Sequence, residues 1–189
     1  MTYDYEDRLF CVLRDHPFTK KIIVTPSFSE GHQLLERISI RYGPVLNTEV
    51  STVESLALQH AGFPLFRHGY RYMTEGETFW IIYGIMKQLS GRNGAYIRPE
   101  MLTPGIVTQV HRAVCELRKA FIPGKALQPD MFVTAEKGLY IRELLLRYEQ
   151  WLIDNKAVDF AGLFPFLSAL KEEVLFIIPD YIRLDPVSE

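Results

Sequence analysis

The sequence predicts an α/β fold, a small parallel sheet flanked by helices and interrupted by an all-helical insert. Three observations lead there. Residues 4 to 62 alternate apolar, β-branched runs with amphipathic helical stretches, the order that builds a parallel sheet. From about residue 75 to 173 the periodicity is helical only, broken by turns at Gly91-Arg92-Asn93-Gly94 and from Pro123 to Pro129. An apolar run then reappears at Val174 to Ile178 and is expected to pair beside the earlier strands. The α/β core is therefore expected to be discontinuous, residues 1–72 and 172–189, around a helical insert at 73–171.

The elements follow in order. Residues 4 to 15 read as a helix with Leu9, Phe10, Val12 and Leu13 on its apolar side, ended by Pro17. Lys21 to Thr25 reads as a strand, apolar enough for burial on both faces. Ser27 or Ser29 caps the next helix, whose face is Leu34, Leu35 and Ile38 and which fades at Arg41-Tyr42-Gly43-Pro44. Leu46 to Ser51 is a second strand. Ser51 or Thr52 caps a helix through Leu56, Ala57 and His60 to Gly62. The stretch FRHGYRY, Phe66 to Tyr72, interleaves Arg67, His68 and Arg71 with three aromatic rings. It reads either as a loop between two helices or as a segment that stacks bases and holds phosphates. Thr103 as cap and Pro104 at the first helical position start a helix carrying Ile106, Val110, Val114, Leu117 and Phe121. Tyr140, Leu144, Leu145, Tyr148, Trp151 and Leu152 form another long apolar face. Asp159 opens a short helix through Leu163, Phe166, Leu167 and Leu170. Leu184-Asp185-Pro186 reads as one more helix start just before the last residue, Glu189, so the chain is expected to belong to something longer.

Composition narrows the function classes. Of 189 residues, 48% are apolar and 23% charged, the balance of a soluble globular protein. A net charge of −2 excludes a strongly basic nucleic-acid footprint over the whole chain and leaves a local patch open. Cys11 and Cys115 both sit in apolar helical patterns and are expected to be buried free thiols, in keeping with a reducing cytoplasm. The N-terminal MTYDYEDRL has no signal pattern, and no apolar run reaches the roughly 18 residues of a membrane span. His16, His32, His60, His68 and His111 show no metal spacing, with no i,i+4 His pair and no Cys–His cluster, so no metal or cofactor is expected.

Three stretches carry a family resemblance: IIVTPSFSEGHQLLERI from Ile22, VSTVESLALQHA from Val50, and LLLRYEQWLIDNKAVDFAGLF from Leu144. In order and spacing they resemble the first helicase-like domain of the AddB-like helicase/nuclease family, related to UvrD/Rep-type superfamily-1 helicases. The first is similar to the strand and turn that lie along single-stranded DNA, with the phosphate loop itself missing. In the second, Thr52 and Ser55 match the family's Thr-aromatic-His-Ser, while Val53 and Glu54 replace the aromatic residue and the histidine. The third, ending Asp159-Phe160-Ala161-Gly162-Leu163, is similar to the Asp-Phe-Asp-Asp-Leu pattern preceding the strand with the magnesium-binding acids. Here that strand is VLFIIPDYIRLDP; Pro179 stands at the metal aspartate, with Asp180 next to it. The resemblance implies a P-loop NTPase/helicase-like core with a degenerate nucleotide site. It also implies single-stranded DNA or a partner helicase/nuclease subunit as partner, and a PD-(D/E)xK-type nuclease elsewhere in a longer parent.

The residues agree that phosphate chemistry is missing. ATP hydrolysis needs a lysine and a row of N–H donors around the phosphates. Laid on residues 26 to 33, the phosphate-loop pattern puts Pro26 at the first glycine, His32 at the lysine and Gln33 at the Ser/Thr. Proline removes a donor, and a neutral imidazole replaces an ammonium poorly. The Pro179-Asp180 pair matches the start of a nuclease motif, but no acid-x-Lys follows it. No Gly-x-Ser-x-Gly elbow is present. The expected function is a non-catalytic helicase-like module, a DNA-binding or assembly scaffold in double-strand-break repair and recombination. The candidate DNA contacts are Ser27, Ser29, Thr52 and Ser55, placed where strands end and helices begin, with Arg67 and Arg71. Capping alone also accounts for the four hydroxyls. Two other readings stay open: a protein–protein docking module without DNA contact, which the near-neutral charge favours, and ATP binding without hydrolysis.

Overall fold

The computed structural model describes residues 2–168 and 173–179. In chain order the elements are α1 (Thr2–Asp15), β1 (Lys20–Val24), α2 (Phe28–Tyr42), β2 (Thr48–Ser51), α3 (Val53–Arg67), β3 (Arg71–Tyr72), α4 (Glu75–Ser90), α5 (Pro104–Lys119), α6 (Ala135–Asp154), β4 (Ala157–Val158) and β5 (Val174–Ile177). They form two compact units, one from the described residues of Met1–Gly62 and Leu167–Leu184, the other from Phe63–Phe166.

The first unit is a parallel sheet in the order β2-β1-β5. Ile23 of the central strand lies opposite Val50 on one side and Ile177 on the other. A strand paired along both edges and covered on both faces must be apolar, and Ile22, Ile23 and Val24 are all buried. Leu9 and Leu13 of α1 pack with Leu34 and Ile38 of α2 around Ile23. Cys11 lies between those two leucines in sequence and so on the opposite side of α1. It is exposed, not buried as its apolar neighbours suggest. Lys21 departs from the apolar pattern of its strand without leaving the interior. Its buried ammonium donates to the Thr19 carbonyl at 3.0 Å and to the His16 carbonyl just beyond α1. A cation is favoured at a helix C-terminus, although burial lowers the Lys21 pKa.

α3 does not stop at Gly62 but continues to Arg67 across Pro64. An interior proline removes the hydrogen bond that would reach the carbonyl four residues back. Here that carbonyl, on His60, instead accepts from the Ser168 hydroxyl at 2.9 Å and the Ser168 N–H at 3.4 Å. The compensation comes from a residue far along the chain, which is why local breaker signals misplace the helix end.

The second unit is built on α4, α5 and α6 around Ile82, Met86, Val114, Leu144, Leu145 and Tyr148. The expected loop from Phe66 to Tyr72 is partly a strand: β3 pairs in parallel with β4, Arg71 opposite Ala157 and Tyr72 opposite Val158. The Tyr70 ring rests 5.4 Å from Phe166. Asp159 begins a 3₁₀ turn, Ala161–Phe166, rather than an α-helix. Its Oδ1 accepts the Gly162 N–H at 2.9 Å. The expected continuation to Leu170, the helix start at Leu184-Asp185-Pro186 and Asp180 lie outside the described residues. No helix among the described residues is long and apolar enough to cross a membrane.

Candidate functional site

Because β1 and β2 are parallel neighbours, α2 and α3 both begin at the same edge of the sheet. The Ser27 hydroxyl caps α2, accepting the Glu30 N–H at 3.3 Å. The Thr52 hydroxyl does the same for α3, accepting the Ser55 N–H at 3.2 Å. Ser29 and Ser55 are therefore first-turn residues rather than caps; the Ser29 hydroxyl accepts from Gln33 at 3.5 Å. Thr25 is buried and donates its hydroxyl to the Ser27 carbonyl at 2.8 Å, while its N–H continues the ladder to Ser51 at 2.9 Å.

The single glycine of this turn has a packing role. A Cβ on Gly31 would sit 2.1 Å from Val50 Cγ1 and 2.7 Å from Thr25 Oγ1, so its absence lets α2 lie directly against the sheet. His32, at the phosphate-loop lysine position, is exposed on α2. Residues 25–33 and 51–56 contain no lysine or arginine, and the first turns carry Glu30 and Glu54. Those carboxylates complement the helix dipoles and oppose a dense anion. The edge thus offers hydroxyls and backbone N–H groups suited to single phosphate contacts rather than to a triphosphate. Pro179, two residues past β5, is buried.

Arg67 and Arg71 belong to the second unit. Arg67 is exposed. Arg71 is held by Glu77, Nη1 to Oε1 at 3.0 Å. The Thr74 N–H, then the Thr74 hydroxyl and Arg71, keep the Glu77 carboxyl below its ordinary value. Glu77 also closes a capping box with Thr74 at the start of α4. The Thr-x-x-Glu spacing that builds this arrangement is a sequence signal in its own right.

A larger polar cluster joins α5, α6, the loop after α5 and the turn after β4. Arg118 grips Asp159 with two hydrogen bonds, Nε to Oδ2 at 2.9 Å and Nη2 to Oδ1 at 3.1 Å. It also faces Glu149 at 3.6 Å, and Glu149 accepts the Gly124 N–H at 3.2 Å. The Tyr148 hydroxyl donates to Asp159 at 3.3 Å. Burial works against the Arg118 charge, yet the bonds and charge of Asp159 and the charge of Glu149 outweigh it and raise the pKa.

Farther along α5, His111 Nε2 lies 2.9 Å from the Thr78 hydroxyl and 3.5 Å from Cys115 Sγ. The two residues stand four apart on one helix, a spacing that is legible in the sequence. Thr78 donates its only hydroxyl hydrogen to the Glu75 carbonyl at 2.8 Å, so it accepts from His111 and fixes the imidazole proton on Nε2. The thiol then has no base to deprotonate it. Burial, followed by the Asp159 charge, pushes the Cys115 thiol up to about 11. The pair is neutral packing, not an activated nucleophile. No group of three or more His, Cys, Asp or Glu among the described residues is placed to hold a metal ion.

Burial also lowers the His111 pKa, partly opposed by the Glu75 charge. The unfolded chain therefore takes up a proton first, and stability falls as pH drops below the ordinary imidazole value of 6.5. The second unit is expected to be less stable at about pH 5.5 than at about pH 6.5 through this group. Urea unfolding at both pH values should show that loss in the wild type and a flatter response in His111→Gln; equal slopes would remove His111 as the cause.

Compared with known proteins, the chain matches no family model and no curated protein sequence.

Proposed function

We propose that this chain is a non-catalytic, helicase-like module that serves as a single-stranded-DNA-binding scaffold within a longer DNA-processing protein. One observation carries the reading. The chain leaves the parallel sheet after β2 and α3, builds a separate helical unit, and returns as β5 on the other side of β1. An insert between strands that flank the same central strand supports the helicase resemblance better than any single motif does. The commitment of Thr25, Ser27 and Gly31 to capping and packing supports a scaffold rather than a triphosphate site. The resemblance would place such a module in recombination and break repair.

Fluorescence anisotropy with a labelled oligothymidylate of about twenty nucleotides tests the reading. Binding should weaken about tenfold between ~50 and ~200 mM salt, the signature of a few neutralised phosphates. Arg67→Glu should weaken it further. Absence of binding at low salt would overturn the DNA reading. It would leave a protein-docking module without DNA contact, which Glu30 and Glu54 at the sheet edge favour.

A further inference from the structure

α3 turns two of its largest apolar side chains outward. Ala61 and Leu65 are buried, whereas Phe63 is 74% and Phe66 79% exposed. Arg67, one turn after Phe63, shares that side of the helix and is exposed as well. The three meet on one face only because α3 runs on across Pro64 to Arg67. The other rings of this stretch are engaged: Tyr70 and His68 lie against Phe166, at 5.4 and 6.0 Å, and Tyr72 belongs to β3. The local charge has one sign. No Asp or Glu occurs from residue 55 to 74, and Arg67 has no ion-pair partner among the described residues, unlike Arg71, which Glu77 holds. An arginine in a last helical turn also complements the dipole, which accounts for its charge but not for two phenyl rings left in water beside it.

We propose that Phe63, Phe66 and Arg67 form a stacking platform for the unpaired bases of a single strand, with the guanidinium on the adjoining phosphate. An aromatic ring in water gains from any base laid on its face, and the gain depends little on which base it is. A duplex keeps its bases stacked on one another and has none to offer. Aliphatic side chains would serve a docked protein equally well. Two phenyl rings beside an unpaired guanidinium, in a segment without a carboxylate, match a polyanion that carries flat bases. This assignment rests on the single-stranded DNA reading above and adds the bases to the phosphates as what is gripped.

Fluorescence anisotropy with three labelled probes tests it: oligothymidylate, a strand of the same length with abasic sites throughout, and a blunt duplex. Wild type should bind oligothymidylate at least about tenfold tighter than either of the others. Phe63→Ala and Phe66→Ala should each weaken that binding about fivefold or more, with the melting temperature unchanged because both rings stand mostly in solvent. Phe66→Leu keeps apolar bulk and loses the ring, so it should weaken binding almost as much, and Phe66→Trp should retain it. The ring variants should leave the salt dependence unchanged, whereas Arg67→Gln should lower its slope by about one. Equal binding of the abasic strand, no effect of either alanine variant, or a Phe66→Leu variant as tight as wild type overturns the platform and leaves backbone contact in place. No binding of any strand by the wild type removes the DNA reading itself, and the platform with it. A wild-type dimer that Phe63→Ala dissolves also overturns it, since the rings would then cover a second copy of this chain.

Discussion

Asp159→Ala is expected to destabilise the helical unit by about 3 kcal/mol or more. The Asp159 side chain is 10% exposed, and its carboxylate holds the Arg118 fork, the Tyr148 hydroxyl and the Gly162 N–H together. Removing it leaves a mostly buried guanidinium short of its main partner, and an uncompensated buried charge is the expensive outcome. The Arg118 side chain keeps 23% exposure, which holds the loss near the lower end of the range for buried pairs. Trp80 and Trp151, the chain's two tryptophans, both lie in this unit, so urea unfolding followed by tryptophan fluorescence reports it selectively. Replacing both partners, Arg118→Met with Asp159→Leu, should be less harmful than Asp159→Ala alone, because no charge is stranded. A loss below about 1 kcal/mol for Asp159→Ala would mean that the pair is effectively solvated.

Gly31→Ala should cost the sheet unit about 2 kcal/mol net. Alanine is the better helix former by roughly 1 kcal/mol, so an exposed helical glycine would gain from the change. Here the new methyl would lie 2.1 Å from Val50 Cγ1, far inside contact distance, and Thr25 behind it is buried and hydrogen-bonded. α2 must therefore lift from β2. Hydrogen exchange of the α2 and β1 amides reads this unit, which has no tryptophan. Adding Val50→Ala removes both offending methyls and should return most of the loss. A neutral or stabilising Gly31→Ala would show that the helix does not rest on the sheet at this point.

These two sites mark where the sequence can be read and where it cannot. Strand and helix order in the first unit follows from local signals, since β1 carries the apolar run Ile22-Ile23-Val24 and the helices carry regular apolar faces. The cap choices at Ser27 and Thr52 narrow to two residues each, because neighbouring hydroxyls look alike until backbone geometry selects one. β3 and β4, two residues each, have no periodicity to detect. Asp159 is legible as a helix-start residue, and it does cap a turn, but its ion pair with Arg118 spans 41 positions and leaves no local trace. The end of α3 is misplaced for the same reason: the donor that compensates Pro64 is Ser168. The His111–Cys115 spacing is present in α5, masked by its larger apolar residues.

The proposed scaffold role of the first unit is tested most directly by its response to nucleotide. Thermal unfolding with about 5 mM ATP and excess Mg²⁺, followed by a phosphate-release assay on the same sample, reads binding and turnover together. With Thr25, Ser27 and Gly31 engaged in capping and packing, the melting temperature should stay within about 0.5 °C of the nucleotide-free value and phosphate should remain at background. A melting temperature that climbs with ATP concentration, or phosphate released in proportion to protein, would contradict it.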